Sequence, residues 1–212
     1  ANAHKLLADL LGPLPLPPRY PLATLPFGLL ALMPASAAAR LLFKGPRARA
    51  IFCGMAAHSM IPLENAATAS FGLILAMVAH AIGWPMARGG SQQIVDAMAR
   101  YLERLGGSIS TNAEVVDYDM LPEHRAALFD VTPRQLLRIA GGRFPKGYRQ
   151  AMGRYRYGPG IFKIDYALDG PIPWTARECS QAGTVHVGGT MEEIAAAESA
   201  VWRGEHPERP FI

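Results

Sequence analysis

Two glycine pairs bracket the clearest helical pattern in this chain and limit what its middle can become. The stretch RGGSQQIVDAMARYLERLGGSISTNAEVVDY covers residues 88 to 118. Between the pairs, apolar side chains recur every three or four residues, which predicts an amphipathic helix over residues 91 to 105. The free N–H groups and the positive end of such a helix suit a phosphate. Arg88, Gly89 and Gly90 are therefore candidate ligand-contacting residues, with a plain strand-to-helix turn as the alternative.

Several motifs that define enzyme classes are absent from the sequence. No GxGxxG dinucleotide fingerprint occurs, and Gly158-Pro159-Gly160 is no substitute because the fingerprint must end a strand and open a helix. Neither the GxSxG motif of hydrolases nor a GxxxxGK phosphate loop is present. The six histidines show no metal-ligand spacing, so no metal site is predicted. Cys53 and Cys179 lie far apart and are expected to be reduced thiols of a cytoplasmic protein.

Long apolar stretches dominate the N-terminal part of the chain. Half of all residues are hydrophobic and 18% are charged, which is at the apolar end for a soluble globular protein. Residues 66 to 84 raise the question of a transmembrane helix, but His80 and many alanines favour a helix that is buried or lines an apolar cavity. His58, Glu64 and Asn65 lie between apolar stretches and are candidate substrate-pocket residues. Core or helix-capping roles are the alternative for these three.

Four runs in the second half of the chain have strand patterns. Residues 108 to 118 are β-rich, and residues 126 to 132 are typical of a short buried strand. Residues 158 to 168 alternate as in a half-buried strand, and residues 183 to 190 are also β-rich. The remaining local predictions are helices at residues 4 to 11, 133 to 141 and 191 to 203, and an extended connector at the proline-rich residues 13 to 26.

The stretch from residue 131 to residue 164 contains no acidic side chain. A basic and aromatic stretch fits a nucleic acid, an anionic membrane surface or simply a solvated face. The net charge of +4 is mild and no recognised nucleic-acid-binding motif occurs, so no nucleic-acid partner is predicted. The cations are Arg134, Arg138, Arg143, Lys146, Arg149, Arg154, Arg156 and Lys163, and Tyr148, Tyr155 and Tyr157 lie among them.

Longer motifs carry a family resemblance. The stretch from RGGSQQIVDAMARYLERLGG to NAEV is followed by ALFDVTP, YGPGIFKIDYALDGPIPW, AGTVHVGGTMEEIAAAE and GEHPERPFI. Together they resemble the phytoene dehydrogenase-like FAD-dependent oxidoreductases, which are related to the amine oxidases. The similarity is good from about residue 83 to the last residue and looser before it, as expected of a substrate-binding region.

The resemblance implies FAD as cofactor and suggests residues that contact it. In these flavoproteins the chain returns to the FAD domain through a helix and a strand, where a valine contacts the adenine through its backbone. That valine corresponds to Val115, and the strand ALFDVTP runs toward the cofactor and ends at Thr132-Pro133. The resemblance identifies no catalytic residue. The cofactor-binding candidates are therefore Val115, Arg88, Gly89, Gly90, Thr132 and Pro133.

The resemblance also implies that the chain is an interior part of a flavoprotein. It lacks the first βαβ unit, which grips the pyrophosphate, and the closing flavin segment, and both of its ends look cut. We therefore expect that the chain alone does not hold FAD and is inactive by itself.

The expected architecture is α+β, with a substrate-binding domain of helices packed on a mixed sheet and a remnant of the α/β FAD-binding domain. Residues 1–85 form the helical part of the substrate domain, 86–139 the returning FAD segment, and 140–212 the sheet and helix part of the substrate domain. Such a remnant leaves unpaired strand edges and exposed apolar surface, which favour self-association.

The expected function is a part in an FAD-dependent dehydrogenase or desaturase that acts on a lipophilic small molecule by hydride transfer to the flavin. The alternative is a non-catalytic module that binds lipid or a membrane surface. A cytoplasmic location is expected, and a peripheral membrane contact is compatible with both hypotheses.

Overall fold

The computed structural model describes residues 3–10 and 17–212 and divides the chain into two compact units. Unit 1 combines Ala1–Met86 with Pro159–Ile212, and unit 2 is Ala87–Gly158. The described helices of unit 1 are α1 (Ala3–Leu10), α2 (Pro21–Ala31), α3 (Ala35–Leu42), α4 (Pro46–Ala57), α5 (Ala69–Ala81) and α9 (Met191–Trp202), and those of unit 2 are α6 (Gln92–Arg104), α7 (Pro133–Ala140) and α8 (Lys146–Gly153). The division into residues 1–85, 86–139 and 140–212 stays a prediction.

Unit 1 is built around a small-residue core. Helix α4 packs against α3, α5 and α9. Alanines at these contacts let the helix backbones approach closely, and Gly72 of α5 lies directly against the ring of Phe52. Burial of each methylene of the larger core side chains contributes about 0.8 kcal/mol. The buried cluster comprises Ala35, Ala38, Ala39, Phe52, Cys53, Ala56, Ala57, Leu63, Ala69, Met191, Ile194 and Ala195.

A single buried threonine joins the loop after α4 to the start of α3. The Thr68 hydroxyl accepts a hydrogen bond from the backbone N–H of Ala35 at 2.8 Å. Its own proton faces the carbonyls of Asn65 at 2.8 Å and Leu63 at 3.2 Å. The Leu63 carbonyl also accepts from the N–H of Ser36 at 3.2 Å. These bonds satisfy the N–H groups of Ala35 and Ser36 in the first turn of α3, which a helix start in the core requires.

Helix α2 corrects part of the expected proline-rich connector. Residues 13–16 lie outside the described residues, but Pro21 is the first residue of α2 and Pro26 lies inside it. Proline is tolerated at the first turn because that N–H has no helical acceptor. The buried carboxylate of Asp9 fixes the helix start, since it accepts from the Tyr20 N–H at 3.1 Å and the Thr24 hydroxyl at 3.0 Å.

Few side chains of unit 2 are buried. Its helices carry an amphipathic pattern, yet Ala140 is the one fully buried residue among residues 87–158. The apolar face of α6 is solvent-exposed, with Met98 at 68% and Leu105, just after the helix, at 68% exposure. Helix α7 contacts α8 and a short 3₁₀ turn at Gly141–Arg143. Unit 2 by itself therefore has no apolar core.

The predicted α+β fold with a mixed sheet is wrong. Across residues 3–10 and 17–212 no residue adopts a strand, and the order of elements is helical. Residues 160 to 178, which include most of the expected half-buried strand, are all exposed, and Leu128 of the expected buried strand is 98% exposed. A strand needs a hydrogen-bonded neighbour and cross-strand side-chain contacts, which an alternating pattern cannot supply. The remnant of the α/β domain likewise contains helices and irregular chain only.

The predicted helices are confirmed. The patterns at residues 4–11, 91–105, 133–141 and 191–203 correspond to α1, α6, α7 and α9. Both α7 and α9 begin with a capping box, formed by Thr132 with Gln135 and by Thr190 with Glu193. Among the described helices none is by itself long and apolar enough to cross a membrane, although α2 and α3, bent by 114° at their break, meet the length and composition test as a pair.

Candidate functional site

A cavity in unit 2 has a volume of about 470 Å³ and a mostly apolar lining. Two irregular runs, residues 108–116 and residues 125–131, contribute to it together with the end of α7. Its lining contains no lysine or arginine. The lining residues are Val115, Leu121, Pro122, His124, Ala126, Ala127, Leu128, Phe129, Asp130, Val131 and Ile139.

Both runs have open backbone edges. Within the described chain, no backbone N–H or C=O of residues 108–116 or 125–131 forms a hydrogen bond. Backbone groups that stay unpaired are tolerated only in contact with water or with a further molecule. The cavity thus presents apolar side chains and free donors and acceptors side by side, an arrangement that suits a flat, partly polar ligand.

An aromatic and histidine cluster forms one corner of the cavity. The Tyr118 hydroxyl lies 3.0 Å from Nε2 of His124, and Nδ1 of His124 lies 2.6 Å from the carbonyl oxygen of Pro122. A carbonyl oxygen can only accept, so the neutral His124 carries its proton on Nδ1 and Tyr118 donates to Nε2. The Phe129 ring is stacked on Tyr118 with centroids 6.3 Å apart.

Arg143 contacts Tyr118 and Asp119 at this corner of the cavity. Its guanidinium lies 4.9 Å from the centroid of the Tyr118 ring and is paired with the carboxylate of Asp119. The partners of this ion pair are exposed, at 57% for Arg143 and 75% for Asp119, so it contributes less than about 1 kcal/mol. The arrangement orients Tyr118 and His124, which could donate or accept hydrogen bonds at the cavity rim. Its four side chains include no serine, threonine or cysteine nucleophile paired with a base.

Val115 lines this cavity, whereas the other five cofactor candidates do not. Gly89 and Gly90 adopt φ values of 82° and 92°, a backbone conformation that favours glycine, in the exposed turn before α6. Arg88 is exposed beside them. The six candidates are therefore divided between the cavity, the start of α6 and the start of α7.

Thr132 and Pro133 form the start of α7, where other side chains of this chain occupy the helix end. Thr132 is the cap residue and Pro133 the first helical residue. The hydroxyl of Tyr157 accepts from the N–H of Arg134 at 3.2 Å, and the Arg134 guanidinium lies over the Tyr157 ring. The Thr132 side chain, with the Arg134 backbone, holds the pKa of Tyr157 below its usual value.

The three substrate-pocket candidates do not line one shared cavity among those described. His58 ends α4 at the surface, with its ring edge-on to His186 at 5.0 Å, and desolvation followed by the charge of His186 lowers the pKa of His58. Glu64 lines a separate cleft of about 220 Å³ between α3 and α9. Asn65 offers its backbone carbonyl to Thr68. His58 is the C-cap residue of α4, whereas Glu64 and Asn65 are exposed loop residues, and a substrate-pocket role for the three stays a prediction.

Sequence reasoning missed the cluster of Tyr118, His124, Phe129 and Arg143. Tyr118 and His124 lie six residues apart in an irregular segment, where no helical or strand period relates them. Arg143 is 24 residues from its partner Asp119. The one sequence signal was the concentration of aromatic and basic residues near the expected valine contact.

A complete FAD site is not formed by the described residues. The cavity beside Val115 has the size and lining for an aromatic ring, but its lining offers a carboxylate, Asp130, and no cation for a pyrophosphate. In the described part of the chain, no group of three or more metal-ligating side chains occurs. Comparison with known protein families, curated proteins and solved structures finds no match.

Proposed function

We propose that this chain is a part of an FAD-dependent oxidoreductase that acts on a lipophilic substrate. The observation that carries the proposal is the position of Val115. The motif resemblance assigns this residue to the adenine, and it lines an apolar cavity of about 470 Å³ with unpaired backbone groups. Free N–H and C=O groups next to apolar walls are what recognition of a purine ring by backbone contacts requires. In such an oxidoreductase the flavin supplies the redox chemistry.

The composition of the cavity limits what this chain does by itself. A pyrophosphate carries negative charge, which the Asp130 carboxylate opposes in a lining that contains no lysine or arginine. The glycine turn and Arg88 before α6 do not line the same cavity. The chain therefore supplies one end of a cofactor site, and the diphosphate is held by residues outside it.

The first test concerns cofactor retention. We expect the purified chain to remain colourless after incubation with excess FAD and gel filtration, because the contacts to the diphosphate are missing. The product isolated from the native source is expected to exceed the 22.9 kDa of this chain and to show visible flavin absorption. A native product of this mass without flavin would contradict the proposed function. A yellow one-to-one complex of FAD with the chain alone would contradict only the proposal that residues outside this chain hold the diphosphate.

The second test concerns the cavity wall. In the native flavin-containing product, Val115→Asp is expected to weaken FAD binding at least about tenfold, because it brings a second carboxylate into an apolar cavity that must close on the adenine. Val116→Asp is the matched control, since Val116 is 60% exposed and does not line the cavity. The bound flavin per protein is measured by absorbance after dialysis. Equal flavin content in both variants would contradict the assignment of Val115.

A further inference from the structure

Helix α2 presents an exposed face of leucines, which we call the leucine face, formed by Leu22, Leu25, Leu29 and Leu32. The spacing of three, four and three residues puts these side chains on one side of the helix. They are exposed by 94%, 67%, 66% and 68%, respectively, while Ala31 on the opposite side is buried. Leucines at this exposure on one side of a helix leave a continuous apolar surface, which marks an interaction site.

The charged side chains at the N-terminal end of the leucine face are positive. Arg19 is exposed two residues before α2, and Nζ of Lys5 lies 5.7 Å from the centroid of the Tyr20 ring. Helix α2 packs against α1 and α5. In those three helices the one carboxylate is Asp9, which is fully buried and hydrogen-bonded to the start of α2. From residue 10 to residue 63 the sequence has five arginines and lysines and no acid.

The backbone of α2 suits the boundary between water and hydrocarbon. Because Pro26 has no N–H, the helical hydrogen bond to the carbonyl of Leu22 cannot form. A carbonyl without that bond is costly in pure hydrocarbon but is satisfied by the water and headgroups of a membrane interface. The 11 residues of α2 extend over about 16 Å, a length that lies within the plane of one leaflet.

We propose that the leucine face is a docking surface for an anionic lipid bilayer, with the leucines inserted among the acyl chains and Arg19 and Lys5 at the headgroups. An apolar helix face flanked by cations binds membranes by buried apolar area and by attraction to anionic lipids. Each cation near such a surface adds about a severalfold increase in affinity. This surface lies in unit 1 and is independent of the proposed cofactor contact in unit 2.

The experiment is co-sedimentation of the chain with phosphatidylcholine vesicles and with vesicles of phosphatidylcholine and phosphatidylserine in equal amounts. We expect binding to the anionic vesicles that weakens as salt is added. The double variant Leu25→Ser/Leu29→Ser is expected to lower the partition coefficient at least about tenfold. Leu168→Ser/Ile172→Ser is the matched control in the same unit, because these side chains are also exposed, by 60% and 50%, but lie outside α2. Circular dichroism checks that both variants keep their helices.

Three outcomes would overturn the proposal. The first is no binding to either vesicle, and the second is equal binding to neutral and anionic vesicles. The third is an equal loss in the α2 variant and the control variant. If a second copy of the chain covers the leucine face instead, light scattering will show an oligomer that Leu25→Ser/Leu29→Ser dissociates, without vesicle binding.

A charge variant tests the contribution of the cations. Arg19→Glu is expected to weaken binding to the anionic vesicles and to leave the helix content unchanged.

Discussion

Replacement of Phe52 by alanine is expected to reduce the stability of unit 1 by about 3–5 kcal/mol, the usual loss for a buried phenylalanine. Phe52 is 4% exposed, its ring centroid lies 5.6 Å from that of Phe43, and the backbone of Gly72 in α5 closes over it. The neighbours are mainly alanines, whose short side chains cannot move into the space that the ring leaves. A cavity therefore persists in the variant and adds to the lost burial.

Urea unfolding followed by tryptophan fluorescence measures this loss selectively. Trp84, Trp174 and Trp202 all lie in unit 1, and the chain has three tryptophans. Ile51→Ala is the matched control, because Ile51 is adjacent in sequence but 63% exposed, and its change is expected within about 0.5 kcal/mol. If Phe52→Ala does not fold, Phe52→Leu is expected to show a smaller loss in the same direction. Equal stabilities of the Phe52 and Ile51 variants would contradict the described core.

Replacement of Thr68 by valine is expected to cost about 1–3 kcal/mol, because it leaves the buried N–H of Ala35 without an acceptor. Valine keeps the shape of threonine, so the loss measures hydrogen bonding and not volume. The same change removes the donor to the carbonyl of Asn65 at 2.8 Å, which holds the loop before α5. The Thr68 hydroxyl therefore joins this loop to α3 together with the hydrogen bond from the Ser36 N–H to the Leu63 carbonyl.

Two further variants make the Thr68 prediction specific. Thr68→Ser restores the hydroxyl and is expected to recover much of the stability lost in Thr68→Val. Ser70 lies two residues after Thr68, and its exposed hydroxyl donates to the Ala67 carbonyl. Ser70→Ala removes this hydrogen bond and is expected to change stability by less than about 0.5 kcal/mol. If Thr68→Val were no more destabilising than Ser70→Ala in the same urea experiment, the hydrogen bonds of the Thr68 hydroxyl would contribute little to the folding free energy.

Helix positions followed closely from local signals in the sequence. The apolar spacing between two glycine pairs predicted α6, and Pro133 predicted the start of α7. These signals act within four residues, through caps, φ restriction and the helical period. The part of the prediction that depended on neighbours in space, the mixed sheet, failed. Leu128 and Phe162, in two of the expected strands, are 98% and 88% exposed because no strand pairs with either run.

The family resemblance assigned a cofactor contact to Val115, and this role stays a prediction. The structure places that residue in the lining of the cavity of unit 2. The rest of its rim, from the Tyr118–His124 hydrogen bond to the Arg143 guanidinium, is brought together by turns whose paths no periodicity encodes. His58, Glu64 and Asn65 stay predicted pocket residues, and of the three only Glu64 lines one of the described cavities.

The sequence by itself determined α1, α6, α7 and α9, because helix formation depends on residues within one or two turns. Its prolines, however, predicted a connector where α2 begins. It also determined which residues are apolar and which segments lack acidic charge. The tertiary structure decided which of those apolar side chains become core and which stay exposed. Burial depends on the arrival of a partner element, so Phe52 is enclosed by α5 whereas the leucine face of α2 and the apolar face of α6 remain in solvent.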